Sequence, residues 1–563
     1  MSRPNIGSGA KNGARVVLGI NAYSHDAGAA LFIDGQLVFA AEEERYDRVK
    51  HSAAFPHGAI VAACHHAAIH SSDIEQVAFC WRRDMAIAQK AMYVLKGFPG
   101  TLPFLLERPE GLPGRVGYLQ AVRSLPRDVR AAGIRAPITY VAHHRAHAAQ
   151  AYRFGSVERL DILVADGMGE WETTSQWEAV NGMLVQRSAD HYPHSLGKIY
   201  AAVTQHLGFR PESGEGKTMG LAPFGTDALE MQMQDVCSDV RNFGFSRGST
   251  TMAGPRFEAI FGPPRKPDAP ITQHHKDIAH AVQAALELAV HTMVTIGQQK
   301  PNLALAGGIF LNCALNGSLL HERIYESIYV FPAAGDAGAA AGAAAEVLGL
   351  EPQGIGHAYW GDGFDGAAID RALRQRPFEV VEDPARVAAE ALAAGQLVGW
   401  FSGRMEFGPR ALGARSILAD ARIPDIQARI NRTVKFREDF RPFAPAVLRE
   451  KADAWFEGAV DSPFMLFTFP VRPERRGAIP GVVHVDGSAR VQTVGRSDGH
   501  PAYRRLIERF DELTGTPIVL NTSFNVRGEP IVRTPEEALD IFDRAALDLL
   551  VLEDRVVRKG GSG

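Results

Sequence analysis

The sequence predicts an α/β (α+β) chain built in two parts, and three observations carry that prediction. Short apolar strands run straight into Gly/Asp-rich loops near residues 15–20, 160–164 and 303–305. Ala-rich helical stretches such as 277–294 lie between them, and alternating strands and helices mark mixed α/β layers. A Gly/Pro-rich run at 350–366, LEPQGIGHAYWGDGFDG, then marks a joint.

The first strand pattern, Arg15-Val-Val-Leu-Gly-Ile20, is followed by a second at 29–33, a hairpin turn at Asp34-Gly35 and a returning strand at 36–41. The step from strand to polar loop at Gly19-Ile20-Asn21 recurs at Val164-Ala165-Asp166, which hints at two related halves in the first part. Beyond the joint, arginines concentrate in Gly-, Pro- and Asn-containing loops over 404–441 and 490–533.

Bulk properties narrow the function. A chain of 563 residues is long enough for more than one domain. Its formal net charge of -4 argues against a protein built to grip nucleic acid. Cys64, Cys80, Cys237 and Cys313 form no CxxC pair, so a reducing, cytoplasmic setting is expected. The first residues carry no apolar targeting core, and no run of 18 apolar residues spans a membrane. The tail at 560–563 reads as a flexible end.

His143-His144-Arg145-Ala146-His147 spaces two histidines so that, on a helix, His143 and His147 share one face and can bind one metal. A bare HxxxH is more often a histidine-rich surface helix. Two acidic loops shift that balance, one ending in Asp166 and one in Asp336. Two His with Asp make a mixed N/O donor set suited to divalent iron, manganese or zinc. The loop Ala306-Gly307-Gly308-Ile309-Phe310-Leu311-Asn312 follows a strand and precedes a helix, so its N–H groups suit a phosphate; Gly167 opens a similar loop. Ordinary tight turns are the competing reading for each. Gly214-Glu-Gly-Lys217-Thr is no P-loop, because Pro211 stands where the leading glycine belongs, but Lys217 can meet a phosphate or carboxylate. His25-Asp26 lies in the turn between two strands, where active-site residues often sit. Glu42-Glu43-Glu44-Arg45 reads as a solvated helix start, and Cys313 as packing.

The C-terminal arginines fall in four pieces: Gly408-Pro-Arg410-Ala-Leu-Gly-Ala-Arg415, Lys435-Phe-Arg437-Glu-Asp-Phe-Arg441, the run around Arg490, and Asn521-Thr-Ser-Phe-Asn525-Val-Arg527. Guanidinium forks bind phosphate oxygens bidentately. Any one of these arginines alone reads as a surface ion pair worth about 0–1 kcal/mol; four such loops together favour a shared anion pocket.

These runs resemble the antibiotic- and nodulation-type O-carbamoyltransferases. The resemblance rests on NAYSHDAGAAL, AEEER, HHRAHAAQAY, GEGKTMGLAPFG, AGGIFLNCALNG, GRMEFGPRALGARSIL, RPFAPAVL, HVDGSARVQTV and LNTSFNVRGEPIV, in order along nearly the whole chain. GPRALG with NTSFNxRGEP is its most specific part. The resemblance implies a two-lobed, actin/Hsp70-like ATP- and metal-binding transfer domain over 1–352. A carbamoyl-phosphate-binding domain follows over 353–563, similar to the threonylcarbamoyl-adenylate synthase fold. It implies that carbamoyl phosphate is cleaved in the second domain and that the carbamate passes internally to the first. There ATP, with Mg2+, turns it into carbamoyl adenylate, which a hydroxyl of a small-molecule acceptor attacks.

Carried over residue by residue, His143, His147, Asp166 and Asp336 match the metal ligands, with Fe2+ the implied ion, and His25 matches the base at the transfer centre. Lys50 matches a lysine near the adenylate. Arg410, Lys435, Arg441 and Arg490 match the donor pocket, and Asn521 and Arg527 lie in a matching loop. Gly167, Gly307, Gly308, Asn312 and Lys217 are the nucleotide-binding candidates. The segment 92–130 is longer and more apolar than a minimal member needs and either shapes the acceptor site or only packs. Three rival readings stand beside this one: a tRNA threonylcarbamoyl transferase, a small-molecule kinase of the same superfold, and a non-enzymatic metal- or nucleotide-binding regulator.

Overall fold

The computed structural model describes residues 13–99, 101, 115–238 and 255–559. The tail at 560–563 and the centre of the 92–130 segment lie outside the described residues. The chain divides into two compact units, one of Met1–Glu43 with His51–Ile355 and one of Glu44–Lys50 with Gly356–Gly563.

The first unit contains two five-stranded sheets of the same design. In one, β1 (Val16–Asn21), β2 (Gly28–Ile33) and β3 (Gln36–Glu42) form an antiparallel meander, and β4 (Gln76–Phe79) and β5 (Ile138–Tyr140) join parallel to β1 in the order β3-β2-β1-β4-β5. In the other, β6 (Leu160–Ala165), β7 (Glu172–Val180) and β8 (Met183–His191) form the meander. There β9 (Asn302–Ala306) and β10 (Ser327–Val330) add parallel to β6, in the order β10-β9-β6-β7-β8. The two related halves hinted at by the recurring strand-to-loop step are these sheets, and together they make the expected two-lobed α/β domain.

Two helices join them. The Ala/Gly-rich helix Asp336–Leu348 packs on β1 and β2, the helix His143–Phe154 packs on β6 and β9, and the two helices pack on each other. Their closeness depends on missing side chains. A Cβ on Gly342 would lie 2.0 Å from the Ala146 carbonyl oxygen, and one on Gly19 would lie 2.0 Å from that of Ala340. Interiors packed this tightly transmit displacement, so both helix N-termini, which carry the candidate metal ligands, are held in register.

The second unit is one mixed eight-stranded sheet. Its strands are β11 (Glu379–Val380), β12 (Val398–Phe401), β13 (Arg415–Asp420), β14 (Ala444–Leu448), β17 (Gln492–Val494), β18 (Ile518–Ser523), β19 (Leu549–Leu552) and β20 (Arg555–Arg558). They run in the order β11-β20-β19-β12-β13-β18-β14-β17, and β15 (Thr468–Pro470) pairs with β16 (Ser488–Arg490) beside them. Trp400, Leu418, Val519 and Val551 form a core with Leu506, Ile507 and Phe510 of the helix Pro501–Thr514. Register decides what else meets. Ser416 pairs with Ser523, Ala444 with Asn521, and Ala446 with Gln492. The starts of β13, β14 and β17 and the end of β18 therefore share one end of the sheet, which gathers the four arginine-bearing loops.

Among the described residues no helix is long and apolar enough to cross a membrane. One expectation is overturned: the Glu42–Arg45 run is not solvated. Glu42, Glu43, Glu44 and Arg45 are all buried, Arg45 to 2% exposure. Glu43 accepts the N–H groups of Gly58 and Ala59 (both 2.9 Å), satisfying orphan donors at a helix start. Arg45 pairs with Glu44 (2.7 Å) and donates to the Gly408 carbonyl (3.0 Å).

Candidate functional site

In the first unit His143, His147, Asp166 and Asp336 present one donor atom each, all within 4.8 Å of one another and all buried. The Nε2 atoms of the two histidines stand 3.2 Å apart. Asp166 Oδ2 is 3.1 Å from His143 Nε2 and 3.6 Å from His147 Nε2; Asp336 Oδ1 lies 3.5 and 3.6 Å from the same atoms. The far ring nitrogens fix the tautomers. His143 Nδ1 faces the Cys80 carbonyl at 3.3 Å, and His147 Nδ1 faces Gln150 Oε1 at 3.0 Å. Gln150 Nε2 donates to the Ala333 carbonyl, so its oxygen must be the atom that meets His147. With both protons on Nδ1, the Nε2 lone pairs converge on two carboxylates, the arrangement of outer partners that metal-bound histidines use.

The electrostatics agree. Burial disfavours charge on the His143 ring, but Asp336 and Asp166 outweigh it and hold its pKa well above the ordinary value. Burial likewise opposes ionisation of Asp336, yet His25 and His143 win and bring it down to about 2. Asp336 Oδ1 has no hydrogen-bond partner. Four electron-rich atoms in so small a buried space call for positive charge among them, and the N/O set fits a divalent cation. His144 turns away, with Nδ1 2.7 Å from Ser175 Oγ.

Three further residues build this centre, and two of them, Glu170 and Trp81, lie in no motif that announces them. Buried Glu170 accepts the His143 backbone N–H (3.1 Å) and that of Arg82 (2.6 Å), capping a helix whose own Ncap, Ala142, offers no side chain. Trp81 stacks on the His143 ring with centroids 3.8 Å apart and donates to Asn21 Oδ1 (2.9 Å). Asn21 Nδ2 in turn holds the carbonyls of His25 (3.1 Å) and Asp26 (3.0 Å), fixing the turn between β1 and β2. His25 thereby stands beside the cluster, its Nε2 3.8 Å from Asp336 Oδ2.

The glycine loops close around Asp166. Gly307 has φ +101°, and a Cβ there would lie 2.1 Å from the Ala165 carbonyl oxygen; one on Gly308 would lie 3.2 Å from Asp166 Oδ1. Gly167 N–H donates to Asp166 Oδ1 (2.7 Å). The helix Leu196–His206 begins against this loop, since a Cβ on Gly197 would lie 2.8 Å from both Asp166 O and Gly167 N. Its Lys198 reaches the edge of Gly167 and pairs with Glu212 at 3.6 Å, a cation beside this loop that sequence reasoning missed. Asn312 caps the helix Cys313–His321 by accepting Leu315 N–H (3.0 Å) and bonds Gln283 (2.8 Å). Lys217 lies over the Phe209 ring at 5.4 Å.

In the second unit, Lys435 ends a π-helical turn, Asn431–Lys435, a distortion frequent at functional sites. Burial lowers its pKa well below the ordinary lysine value, and Arg437, Arg441 and Lys50 push the same way. Arg441 is lowered by burial and by Arg490 and Arg527, with Glu438 opposing from 4.0 Å. Arg437, named in the sequence only as part of its arginine-bearing piece, comes down to about 9 through burial, Arg441 and Arg490; it bonds Asn431 Oδ1 (3.0 Å) and lies over Phe443 at 4.3 Å. Six cations, Lys50 among them, thus act on one another here.

Not all point the same way. Lys435 Nζ donates to Asn525 O (2.9 Å) and Oδ1 (2.8 Å) and to the Ser523 carbonyl, so it clamps the loop after β18. Asn521 is likewise a clamp, donating to Ala411 O (3.2 Å) and Gln492 Oε1 (3.0 Å), while Gln492 holds Leu412 O (2.8 Å). These bonds pin the loop that carries Arg410. Glu406 completes it: one carboxylate oxygen accepts the N–H groups of Leu412 (2.8 Å), Ala414 (2.7 Å) and Arg415 (3.1 Å). Arg527 donates to the Phe436 carbonyl (3.2 Å).

Residues 16–345 match the family model described as carbamoyltransferase N-terminus, and 389–559 that described as carbamoyltransferase C-terminus. The nodulation protein NolNO of Sinorhizobium fredii is 36% identical over 575 residues, 96% of this chain and 80% of its own. A Synechocystis protein described as uncharacterized is 37% identical over 598 residues, 96% of each chain. Among solved structures, component A of (R)-2-hydroxyglutaryl-CoA dehydratase from Acidaminococcus fermentans aligns with 59% of this chain and 97% of its own, at 13% identity and a TM-score of 0.32.

Proposed function

Because this chain belongs to the carbamoyltransferase family, we propose that it moves a carbamoyl group from carbamoyl phosphate to a hydroxyl of a small-molecule acceptor, by way of a carbamoyl adenylate made with ATP. The observation that carries the reading is the pair of stations, one in each unit. A group of mutually repelling cations suits an anionic donor, and a buried 2-His-2-Asp cluster ringed by glycine loops suits a nucleotide with its metal. A kinase of similar fold would need only the latter.

In the second unit Arg410, Arg441 and Arg490, with Arg437, hold the phosphate of carbamoyl phosphate. Lys435, Asn521 and Arg527 keep the loops that present them in place. Charge stabilisation of the departing phosphate is what such preorganised cations supply. Water attack at the carbamoyl carbon releases phosphate and leaves carbamate. In the first unit the loops at Gly167 and Gly307-Gly308, with Lys198 and Lys217, take the phosphates of ATP. Carbamate displaces pyrophosphate from the α-phosphorus. A divalent ion held by His143, His147, Asp166 and Asp336, iron by family resemblance, supplies Lewis-acid neutralisation of phosphate charge when bound. His25 accepts the proton of the acceptor hydroxyl as its oxygen attacks the carbamoyl carbon and AMP leaves.

The test is a product assay with ATP, carbamoyl phosphate and a panel of hydroxylated natural products, read by mass. The reading expects a gain of one carbamoyl unit with AMP and pyrophosphate. ADP without need of carbamoyl phosphate would make the protein a kinase, and AMP release that requires tRNA would make it a tRNA-modifying enzyme.

A further inference from the structure

Two imidazoles share one carboxylate in the turn between β1 and β2. Asp26 Oδ2 lies 2.9 Å from His25 Nδ1, and Asp26 Oδ1 lies 2.7 Å from His51 Nδ1. Both Asp26 (φ 52°) and His51 (φ 56°) adopt the left-handed backbone, which is strained for a non-glycine residue and persists only where surrounding bonds over-determine it. Those bonds are present. Asn21 holds the carbonyls of His25 and Asp26. Ala27 N–H donates to Ser52 O (2.8 Å) and Tyr23 N–H to Ala53 O (3.1 Å), tying the turn to the segment after His51. Burial opposes ionisation of Asp26, but the two imidazoles prevail and lower its pKa.

We infer that Asp26 and His51 are positioning residues for His25. Asp26 takes the Nδ1–H of His25 and so leaves Nε2, the nitrogen that faces Asp336, to receive the acceptor's proton. His51 grips the other carboxylate oxygen and stops Asp26 from rotating away. The inference rests on the proposed role of His25. Its logic is that of a base oriented by a third group, with that third group itself clamped. In the step served, the acceptor oxygen bonds to the carbamoyl carbon, the bond from that carbon to the adenylate oxygen breaks, AMP leaves with the electron pair, and the proton ends on His25 Nε2.

Full-length protein labelled with [15N]histidine reads the geometry directly, through two-bond proton–nitrogen spectra assigned with His25 and His51 variants. Protonated Nδ1 is expected in both rings, with His25 shifting toward the Nε2–H tautomer in Asp26→Asn and His51→Leu. His51→Gln keeps a donor and should restore the native tautomer. An unchanged His25 tautomer in both disrupting variants overturns the inference. Kinetically, AMP release with glycerol as the hydroxyl probe should fall roughly 10²–10⁴-fold in Asp26→Asn. Carbamoyl-phosphate-dependent ATP–pyrophosphate exchange, which needs no base, should change less than threefold. Equal loss of both activities would make the role merely structural. A wild-type protein without exchange would instead sink the adenylate reading and leave the tautomer result to decide the positioning role.

Discussion

Replacing Gly307 by alanine tests whether the glycine loop and the proposed metal ligands form one rigid body. At φ +101° a Cβ would come within 2.1 Å of the Ala165 carbonyl oxygen, against a 3.0 Å limit that real Cβ atoms respect. The shortfall of about 0.9 Å cannot be absorbed by β6, which is paired on both sides: Ala165 with Thr174 of β7 and Val164 with Ala306 of β9. The displacement passes to the next residue, Asp166, whose carboxylate stands 3.1 Å from His143 Nε2. Metal–ligand distances tolerate about 0.2 Å. The left-handed backbone costs alanine about 1–3 kcal/mol, and forced overpacking about 1–3 kcal/mol more. Gly307→Ala should therefore lose about 2–6 kcal/mol of stability, with metal affinity down at least tenfold, the scale seen when a ligand's support is disturbed. Elemental analysis after dialysis and thermal melting measure both. Gly216→Ala is the control: nothing lies within 4 Å of its Cβ, and a helical Gly→Ala change is neutral or stabilising by up to about 1 kcal/mol. Gly307→Ala with wild-type metal content and melting would refute the rigid-body argument.

Two other predictions concern the second unit. Glu406→Ala strands three buried N–H groups that now share one carboxylate oxygen. Each charged hydrogen bond contributes about 1.5–3 kcal/mol, so amide exchange at 412–415 should quicken at least tenfold, and Glu406→Gln, which keeps an acceptor, should change it less; unchanged exchange in the alanine variant contradicts the assignment. His500 is buried; burial lowers its pKa to about 4, partly opposed by the Ser402 carbonyl that takes its Nε2–H at 3.1 Å, while Nδ1 accepts Tyr503 N–H. The fold thus binds fewer protons than the unfolded chain, so the contribution is complete above about pH 6.5 and lost as pH falls toward 4. At about 1.36 kcal/mol per unit it reaches about 3 kcal/mol, and His500→Asn, which keeps the cap, should flatten the pH–stability slope over that window; a wild-type slope would be the contrary result.

How far the sequence revealed all this differs by residue. The HxxxH spacing and the aspartate after β6 were legible because helix and strand periods put side chains at predictable places; Asp336 instead opens a helix. The doubled sheet showed only as a hint, since strand order depends on pairings that no local pattern encodes. Glu42–Arg45 misled because a charged run ordinarily faces water, and nothing local signals that Glu43 caps a helix or that Arg45 bonds a carbonyl 363 residues away. Glu170 and Trp81 were invisible for the same reason: each acts on backbone or ring atoms distant in sequence. Lys435 and Asn521 were read as anion-binding, but a motif names a residue without saying which way it points, and both side chains hold loops.

In the proposed reaction, donor opening and carbamoyl transfer occupy separate stations. Arg441→Ala, supplied in parallel with carbamoyl phosphate and ATP or with synthetic carbamoyl adenylate, tests it most directly. Carbamoyl phosphate should then give no carbamoylated acceptor while the adenylate supports near wild-type transfer, with His25→Ala failing on both donors yet still releasing phosphate. Loss of both donors in Arg441→Ala would contradict it.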